Sequence, residues 1–340
     1  MLGLSTRLRG LDPGALIGAA LAGLAASPAA AVTYTIDVAN PLDIGSVVSA
    51  TAGDTVFRIN PASGVVAPVS GSGRRISTTN VRASVTVGCK PSRANETNCQ
   101  TDNIRIRVGT IGAVLGRARA LNNFSVAMGT ATLAAPPTGT NPLSFQIGPV
   151  GTNQSKTFFI GADFGVAGDD SGLASGPGEN GFYVYVVDAV GFQLAGDTDK
   201  GRVKALRALA IAKGSDLNFG AIQRPGAGTS TVTINAANGQ RSIVGGAVGF
   251  PTPAPTAASF TVSGEGGQTF SLTIPATVNL TGPGALTVNL TNTAVPAPSL
   301  SGTLGGAGTY GFRVGGDLPL SPTTPTGTYA GVFVVSLDYN

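Results

Sequence analysis

Hydrophobic and polar residues alternate most regularly over the last fourteen residues of the chain, 327–340. Every second position carries glycine, an aromatic or an aliphatic residue: Gly327, Tyr329, Gly331, Phe333, Val335, Leu337 and Tyr339. A β-strand directs alternate side chains to opposite faces of a sheet. The pattern therefore predicts a strand over residues 330–339 with one continuous apolar face.

The same alternation, interrupted by turn residues, recurs through the second half of the chain. It predicts strands over residues 203–212, 229–236, 258–263, 269–274, 286–292, 310–314 and 330–339. The 50 glycines and 22 prolines among 340 residues are typical of many short strands joined by turns. Seven short strands at this spacing predict an immunoglobulin-like β-sandwich, and the length of the chain suits two.

An internal repeat indicates two copies of one fold. Residues 42–45 match residues 217–220, and the same offset of 175 aligns residues 52–64 with 227–239 without a gap. Three matching blocks in the same order, of which residues 158–164 and 312–318 are the third, make chance a poor explanation.

These patterns together predict an all-β protein of two tandem immunoglobulin-like β-sandwiches. The first covers residues 32–196 and carries an insertion around its two cysteines. The second covers residues 203–340, and a short polar linker, residues 197–202, joins the two.

The start of the chain predicts export. Arg7 and Arg9 precede an uncharged apolar run, residues 15–26, and Ala29 and Ala31 supply the small residues that signal peptidase recognises. The run is shorter than the roughly 20 residues that cross a bilayer, so residues 1–31 read as a cleavable signal peptide rather than a membrane anchor. The predicted location is the periplasm in transit and then the cell surface or the extracellular space.

Two cysteines, Cys89 and Cys99, bracket a hydrophilic, turn-rich stretch. In an oxidising compartment, cysteines this close in sequence are expected to form one disulfide. A metal site is the weaker alternative, because the chain has no histidine and no second cysteine pair.

The missing residue types argue against an enzyme. Without histidine, the Ser-His-Asp triad and imidazole bases are excluded. Asp163, Asp169 and Asp170 form the one acidic cluster, which leaves a weak calcium candidate and an aspartate-based hydrolase as alternatives. A solvated turn is the preferred interpretation, and no cofactor is expected.

Positive charge is concentrated in the middle of the first half, although the net charge is only +4. That excess is too small to indicate nucleic acid as a partner. Arginines within the insertion form a candidate ligand face for an acidic polysaccharide, lipopolysaccharide or protein: Arg105, Arg107, Arg117 and Arg119. A solvated strand surface is the simpler alternative.

The terminal pattern resembles the C-terminal motif of bacterial chaperone–usher pilus subunits, with its glycine fourteenth from the end and penultimate tyrosine. Residues 216–220, 260–264, 270–275, 314–318 and 327–331 resemble an uncharacterised family of secreted bacterial domains, which is itself similar to spore-coat-protein-U-like and pilin-like domains. The pilus resemblance implies a sandwich with an open groove that a chaperone first holds and a neighbouring subunit's strand later fills.

The expected function is a non-enzymatic subunit of a chaperone–usher-type fibre, at its tip or as a minor adhesive component. Its expected partners are a periplasmic chaperone, an usher and neighbouring subunits. Residues 32–38 match the first strand of the second copy in position, so they are expected to stay in the first sandwich. The alternative is an autonomous secreted module that binds a glycan or another envelope component.

Overall fold

The computed structural model describes residues 32–340 and has an all-β architecture, as predicted. The predicted signal peptide, residues 1–31, lies outside the described residues. Within residues 32–340, helical structure is limited to α1 (Asn98–Thr101) and one 3₁₀ turn (Asp169–Ser171). No helix in this described part is long and apolar enough to span a bilayer.

Thirteen strands lie within described residues 32–206. They are β1 (Val32–Ala39), β2 (Leu42–Val48), β3 (Thr55–Ile59), β4 (Val66–Ser70), β5 (Arg74–Arg75), β6 (Ala83–Pro91), β7 (Ile104–Leu115), β8 (Asn122–Met128), β9 (Leu133–Thr138), β10 (Leu143–Ile147), β11 (Gln154–Val166), β12 (Gly176–Val187) and β13 (Gln193–Leu206).

These strands form the first sandwich. One sheet has the order β1-β6-β11-β3-β4, with β8 also paired to β11, and the other has the order β5-β2-β13-β12-β7-β10-β9. Alternate residues of both sheets face one continuous core, in which Phe57, Phe158 and Phe182 are fully buried. The disulfide between Cys89 and Cys99 is present and joins the end of β6 to α1 at the margin of this core.

Eleven strands follow in described residues 207–340. They are β14 (Ala210–Ser215), β15 (Ile222–Gln223), β16 (Ser230–Ile234), β17 (Arg241–Val244), β18 (Val248–Gly249), β19 (Ala258–Glu265), β20 (Phe270–Thr273), β21 (Thr277–Leu280), β22 (Leu286–Asn292), β23 (Ala307–Leu320) and β24 (Ser336–Tyr339).

These strands form the second sandwich. Its larger sheet has the order β14-β19-β23-β16-β17, and β22 and β21 extend it from β23. Opposite lies the β20–β24 pair. The interior is divided into two hydrophobic clusters, one centred on Phe270 and Phe312 and the other on Val232 and Val288.

The sequence repeat is visible in the backbone. The bounds of β3 and β16 differ by the same offset of 175 residues as the sequence blocks. Gly45 and Gly220 both have positive φ, 71° and 76°, and each donates its N–H to the side-chain oxygen two residues earlier, on Asp43 and Asn218. Equivalent turns therefore use equivalent chemistry in the two halves.

The boundary between the sandwiches differs from the predicted linker. Residues 197–202 are not a linker, because they lie inside β13, which is hydrogen-bonded to both β12 and β2. The strand predicted over residues 203–212 is divided: its first part ends β13 and its last part begins β14. The chain crosses between the sandwiches at residues 207–209.

The crossing is fixed by carboxylates from both sides. Asp169 accepts a hydrogen bond from the Ala208 N–H at 2.9 Å and forms an ion pair with the buried Arg117. Glu265, fully buried, accepts a hydrogen bond from the Arg207 N–H at 3.1 Å. Both carboxylates hold backbone that lies between the sandwiches.

Candidate functional site

Within residues 32–340, one strand of the first sandwich has no counterpart in the second sandwich, where the equivalent position is empty. In the first sandwich, β13 fills the space between β12, to which it is antiparallel, and β2, to which it is parallel. By the repeat, residues 217–223 correspond to β2, and the terminal segment, residues 329–340, occupies the place of β12. No strand of described residues 32–340 lies between those two stretches.

A cleft of about 730 Å³ occupies that position. Its floor is made of apolar side chains from the second cluster of the sandwich core: Val278, Val288, Leu318 and Leu320. Residues 216–222 form one wall, and residues 324–331 form the other. The cleft is thus an elongated opening into the hydrophobic interior, bordered by backbone on both sides.

The backbone along one border is unpaired. Ala330 is bridged to Thr281, and β24 pairs with β20 from Ser336 onwards. Between them, residues 331–335 make no backbone hydrogen bond to any residue of the described chain 32–340. On the side that faces residues 217–223 the terminal segment has no paired strand within the described chain, so its backbone there is an available strand edge.

Residues 331–335 of the described chain are also unpaired on their other side, towards β20 and β21, and the cause there lies in that neighbouring strand. Eleven residues separate Phe270 from Thr281, but only nine separate their partners Tyr339 and Ala330. The neighbour therefore bulges between β20 and β21, where Pro275 has no N–H to donate. The Ala276 carbonyl accepts from Leu290 instead of from the terminal segment.

Side chains of the terminal segment alternate as predicted, although its paired part is shorter than the predicted strand over 330–339. Phe333, Val335 and Leu337 pack on the cluster around Phe270. The intervening Val332 and Val334 point outwards and are 88% and 72% exposed. Exposed valines beside an unpaired backbone are typical of a strand that lacks a neighbour.

Gly327 and Tyr329 lie in the cleft wall. The backbone of Gly327 has φ of 149°, and a Cβ there would overlap Cγ of Pro283, so both conformation and space require glycine. The Tyr329 hydroxyl donates to the Pro325 carbonyl at 2.8 Å and holds the turn that precedes the terminal segment.

Tyr339 differs from the role predicted for it. Its side chain is buried, with 6% exposure, so it does not line a surface that a partner could reach. Its hydroxyl accepts from the Glu265 N–H at 2.7 Å and donates to the Arg207 carbonyl at 3.0 Å. Burial, reinforced by the carboxylates of Glu265 and Asp169, raises the pKa of Tyr339 to about 12. The residue anchors the terminal segment to the crossing between sandwiches.

The four arginines of the candidate ligand face do not form one surface. Arg105 and Arg107 project from the outer face of β7. Arg117 is buried, donates to the Leu173 carbonyl and pairs with an aspartate at the crossing, so the prediction that it meets a ligand is wrong. Arg119 forms two hydrogen bonds with Asp54.

The three aspartates of the weak calcium candidate are separately engaged. Asp163 accepts from Arg58 and Asn123, and Asp170 accepts from the Gly53 N–H at 3.0 Å. Within residues 32–340, no three His, Cys, Asp or Glu side chains are grouped to hold a metal ion. Burial acts to raise the pKa of Asp163, but the hydrogen bonds from Arg58 and Asn123 outweigh it and the pKa is lowered.

The cleft floor was not among the sequence-predicted site residues. Val278, Val288, Leu318 and Leu320 read as ordinary core positions because each lies on an apolar strand face. The signal that could have located the cleft is the repeat itself. The first half contains a strand, β13, for which the described second half has no counterpart.

Residues 209–339, fewer than half of the chain, match a family described as Domain of unknown function (DUF4402). No curated protein matches the chain.

A chain from a solved structure titled "Chaperone-tip adhesin complex is vital for synergistic activation of CFA/I fimbriae biogenesis" is similar at 10% identity, over 88% of this chain and 97% of that one. The TM-score is 0.23, which is too low for this likeness to decide either fold or function. The family match over residues 209–339 thus remains the informative comparison, and it relates the second sandwich to domains of unknown function.

Proposed function

We propose that the protein is a non-enzymatic, exported surface subunit whose second sandwich accepts a β-strand from another protein. The open strand position beside the terminal segment is the observation that carries this proposal. The resemblance of that segment to chaperone–usher pilus subunits supports the same assembly class. The donors would be a periplasmic chaperone during transit and then a neighbouring fibre subunit.

Strand addition uses two sets of contacts at this cleft. Backbone groups of residues 331–335 would pair with the incoming strand, and these main-chain hydrogen bonds provide affinity for any extended peptide. Alternate side chains of the donor would cover Val278, Val288, Leu318 and Leu320, which selects donors with apolar residues at every second position. The site thus distinguishes an alternating strand from a merely extended chain.

The first strand of the first sandwich is not free to be donated to another subunit. β1 is paired along its whole length with β6, and its Tyr34, Ile36 and Val38 pack on the core of the first sandwich. β1 is therefore a structural strand of its own domain and not a free donor. A subunit that accepts a strand while β1 stays in place fits the tip of a fibre, with the first sandwich directed outwards.

A self-complemented variant tests the proposal. A flexible glycine–serine linker of about twelve residues, which spans on the order of 20 Å, is added after Asn340 and followed by a copy of the β1 sequence, Val32–Ala39. Linking the donor raises its effective concentration. The thermal unfolding transition of the second sandwich is expected to rise by roughly 5 °C or more.

The matched control carries the same extension with the copied Ile36 changed to Asp. One apolar contact in the cleft is then replaced by a charge, while length and turn are unchanged. Equal melting temperatures for the extended chain, its Asp control and the original chain would contradict the proposal. That result would favour an autonomous binding module whose second sandwich needs no partner.

A further inference from the structure

Two tyrosines form a stacked pair on the outer face of the first sandwich. Tyr183 and Tyr185 alternate with the buried residues of β12 and therefore face solvent. Their ring centroids are 4.3 Å apart, with an interplanar angle of 22°. Neither hydroxyl makes a hydrogen bond within residues 32–340, so two phenol groups are available to a ligand.

Glycines on the neighbouring strands make room for these rings. Gly109 of β7 is opposite Tyr183, and a Cβ on it would lie 2.6 Å from the Tyr183 hydroxyl. Gly196 of β13 is opposite Tyr185, and a Cβ on it would overlap Cδ1 of that ring. The two rings thus lean over backbone on either side of β12, and side chains at these glycines would displace them.

Arginine side chains border the tyrosine pair on one side. Arg107 is directly opposite Tyr185 on β7, is exposed, and has no ion-pair or side-chain hydrogen-bond partner within residues 32–340. Arg105, two residues earlier, donates to the Ala189 carbonyl at 3.2 Å. Next to them, Ser144 and Gln146 of β10 are in register with these two arginines.

The charge beside the tyrosine pair is mainly positive, although the adjoining turn carries Asp188, whose Oδ1 accepts hydrogen bonds from the Val190 and Phe192 N–H groups. The outward positions of β7 and β10 in this region, and those of residues 181–187, carry no carboxylate. On the far side, Lys200 pairs with Glu179, which leaves the arginine side of the face as the net positive part. An anion is therefore the complementary charge.

We infer that this face, comprising Tyr183, Tyr185, Arg105 and Arg107, binds a glycan that carries carboxylate groups. A guanidinium group can bind a carboxylate through two parallel hydrogen bonds, and Arg107 is free to do so. The electron-rich face of an aromatic ring attracts the polarised C–H groups of a sugar ring. The free phenol hydroxyls and Gln146 can bond to sugar hydroxyl groups.

A sugar chain fits this place better than a lipid surface does. The turn between β12 and β13 exposes Val190 and Phe192, by 78% and 73%, and a bilayer would first contact that tip. The unpaired hydrogen-bonding groups lie further along the flat sheet, at Tyr183, Tyr185 and Arg107. A linear glycan can lie across a flat sheet and reach all of them.

Calorimetric titration of the full chain tests the inference with three probes of defined chemistry. Oligogalacturonate carries a carboxylate on each sugar, maltohexaose is a neutral oligosaccharide, and phosphatidylglycerol vesicles present an anionic lipid surface. Binding of oligogalacturonate that weakens with added salt, with no binding of maltohexaose, is expected. Binding of the vesicles alone, or of none of the three, would overturn the inference.

Variants distinguish glycan binding at this face from binding that depends only on the net positive charge of the protein. Arg107→Gln and Tyr185→Ala are each expected to weaken oligogalacturonate binding by about tenfold, which corresponds to the loss of one good polar or stacking contact. Arg93→Gln removes an exposed charge in the disulfide loop and is the matched control, with no expected change.

Gly196→Ala keeps every ligand-binding group but forces the Tyr185 ring to move, so it is expected to weaken binding as well. Equal losses for Arg107→Gln and Arg93→Gln would show that binding depends on net charge and not on this face. Melting temperatures of all variants verify that they remain folded. None of these results depends on whether the second sandwich accepts a strand.

Discussion

Replacing Tyr339 by phenylalanine tests how the terminal segment is held. The change keeps the buried ring but removes the hydroxyl that joins the Glu265 N–H to the Arg207 carbonyl. Both backbone groups lie beside the crossing between the sandwiches, and Glu265 is fully buried, so its N–H has no water as a substitute partner. The variant therefore exposes the contribution of this one oxygen.

The magnitude follows from the two contacts, at 2.7 and 3.0 Å. Leaving a buried polar group unsatisfied costs about 1–3 kcal/mol, and two groups that share one partner are not additive. Tyr339→Phe is expected to reduce the free energy of unfolding of the second sandwich by about 2–4 kcal/mol at pH 7. A weaker terminal segment would also widen the border of the cleft.

The effect has a defined dependence on pH. Burial raises the pKa of Tyr339 from 10.0 to about 12, so the folded state favours the protonated phenol. The stability from this preference is fully present below pH 10 and is lost as the pH rises through 12. At pH 11 the cost of Tyr339→Phe should therefore be about 1.4 kcal/mol smaller than at pH 7.

Urea unfolding followed by circular dichroism at the two pH values measures both effects. Tyr329→Phe is the matched control, because its hydroxyl makes one bond in an exposed turn. That variant should change the free energy of unfolding at pH 7 by no more than about 0.5 kcal/mol. Equal losses for the two variants, or an unchanged cost of Tyr339→Phe at pH 11, would refute this reasoning.

Three further predictions concern the first sandwich. Asp163→Asn should destabilise the first sandwich above about pH 4, because the pKa of Asp163 is lowered in the folded state. The difference from wild type should disappear as acid protonates the aspartate, which acid unfolding curves measure. Arg117→Met, which leaves a carboxylate without its buried partner, should cost about 3 kcal/mol, whereas Arg119→Met, at an exposed pair, should cost less than about 1 kcal/mol in urea unfolding. Joint replacement of Cys89 and Cys99 by alanine should cost about 2–3 kcal/mol, measured as a shift in the urea midpoint that reducing agent reproduces in the wild type.

Alternation and turn residues were sufficient to locate β16, β19, β20, β22 and β23, but the short strands β15, β17, β18 and β21 were not predicted. Positions such as Phe182 and Val184 face the core because every second residue does so in a strand, and this follows from sequence alone. Gly45 and Gly220 occupy equivalent turns with positive φ, a conformation that favours glycine. Because such positions keep the same residue in both halves, a few identities were sufficient to recognise the repeat.

Pairing between distant strands could not be read in the same way. β13 reads as polar over residues 197–202, because its inward face there carries aspartates and a glycine and its outward face carries lysine and arginine. A polar stretch predicts a linker, yet two neighbouring strands supply enough hydrogen bonds to hold it in the sheet. Long-range pairing outweighed local composition.

The apolar face of the terminal segment could be predicted from the sequence, but the long-range contacts of its last residues could not. The alternating face of Phe333, Val335 and Leu337 was evident, but the burial of Tyr339 depends on Glu265 and Arg207, which are distant in sequence. Arg105 and Arg107 share a face because they are two residues apart on one strand. Whether arginines on different segments share that face depends on their partners, which the sequence does not specify.

Hydrogen exchange of the full chain tests the central claim most directly. Backbone amides of residues 331–335 have no partner in the described structure, whereas those of Gly181, Phe182 and Tyr183 on β12 lie between two paired strands. The account predicts rapid exchange at residues 331–335 in the chain alone, slow exchange on β12, and protection of alternate amides within residues 331–335 when a donor strand is linked to the chain. Slow exchange at residues 331–335 in the chain alone would contradict it, because that strand position would then already be filled.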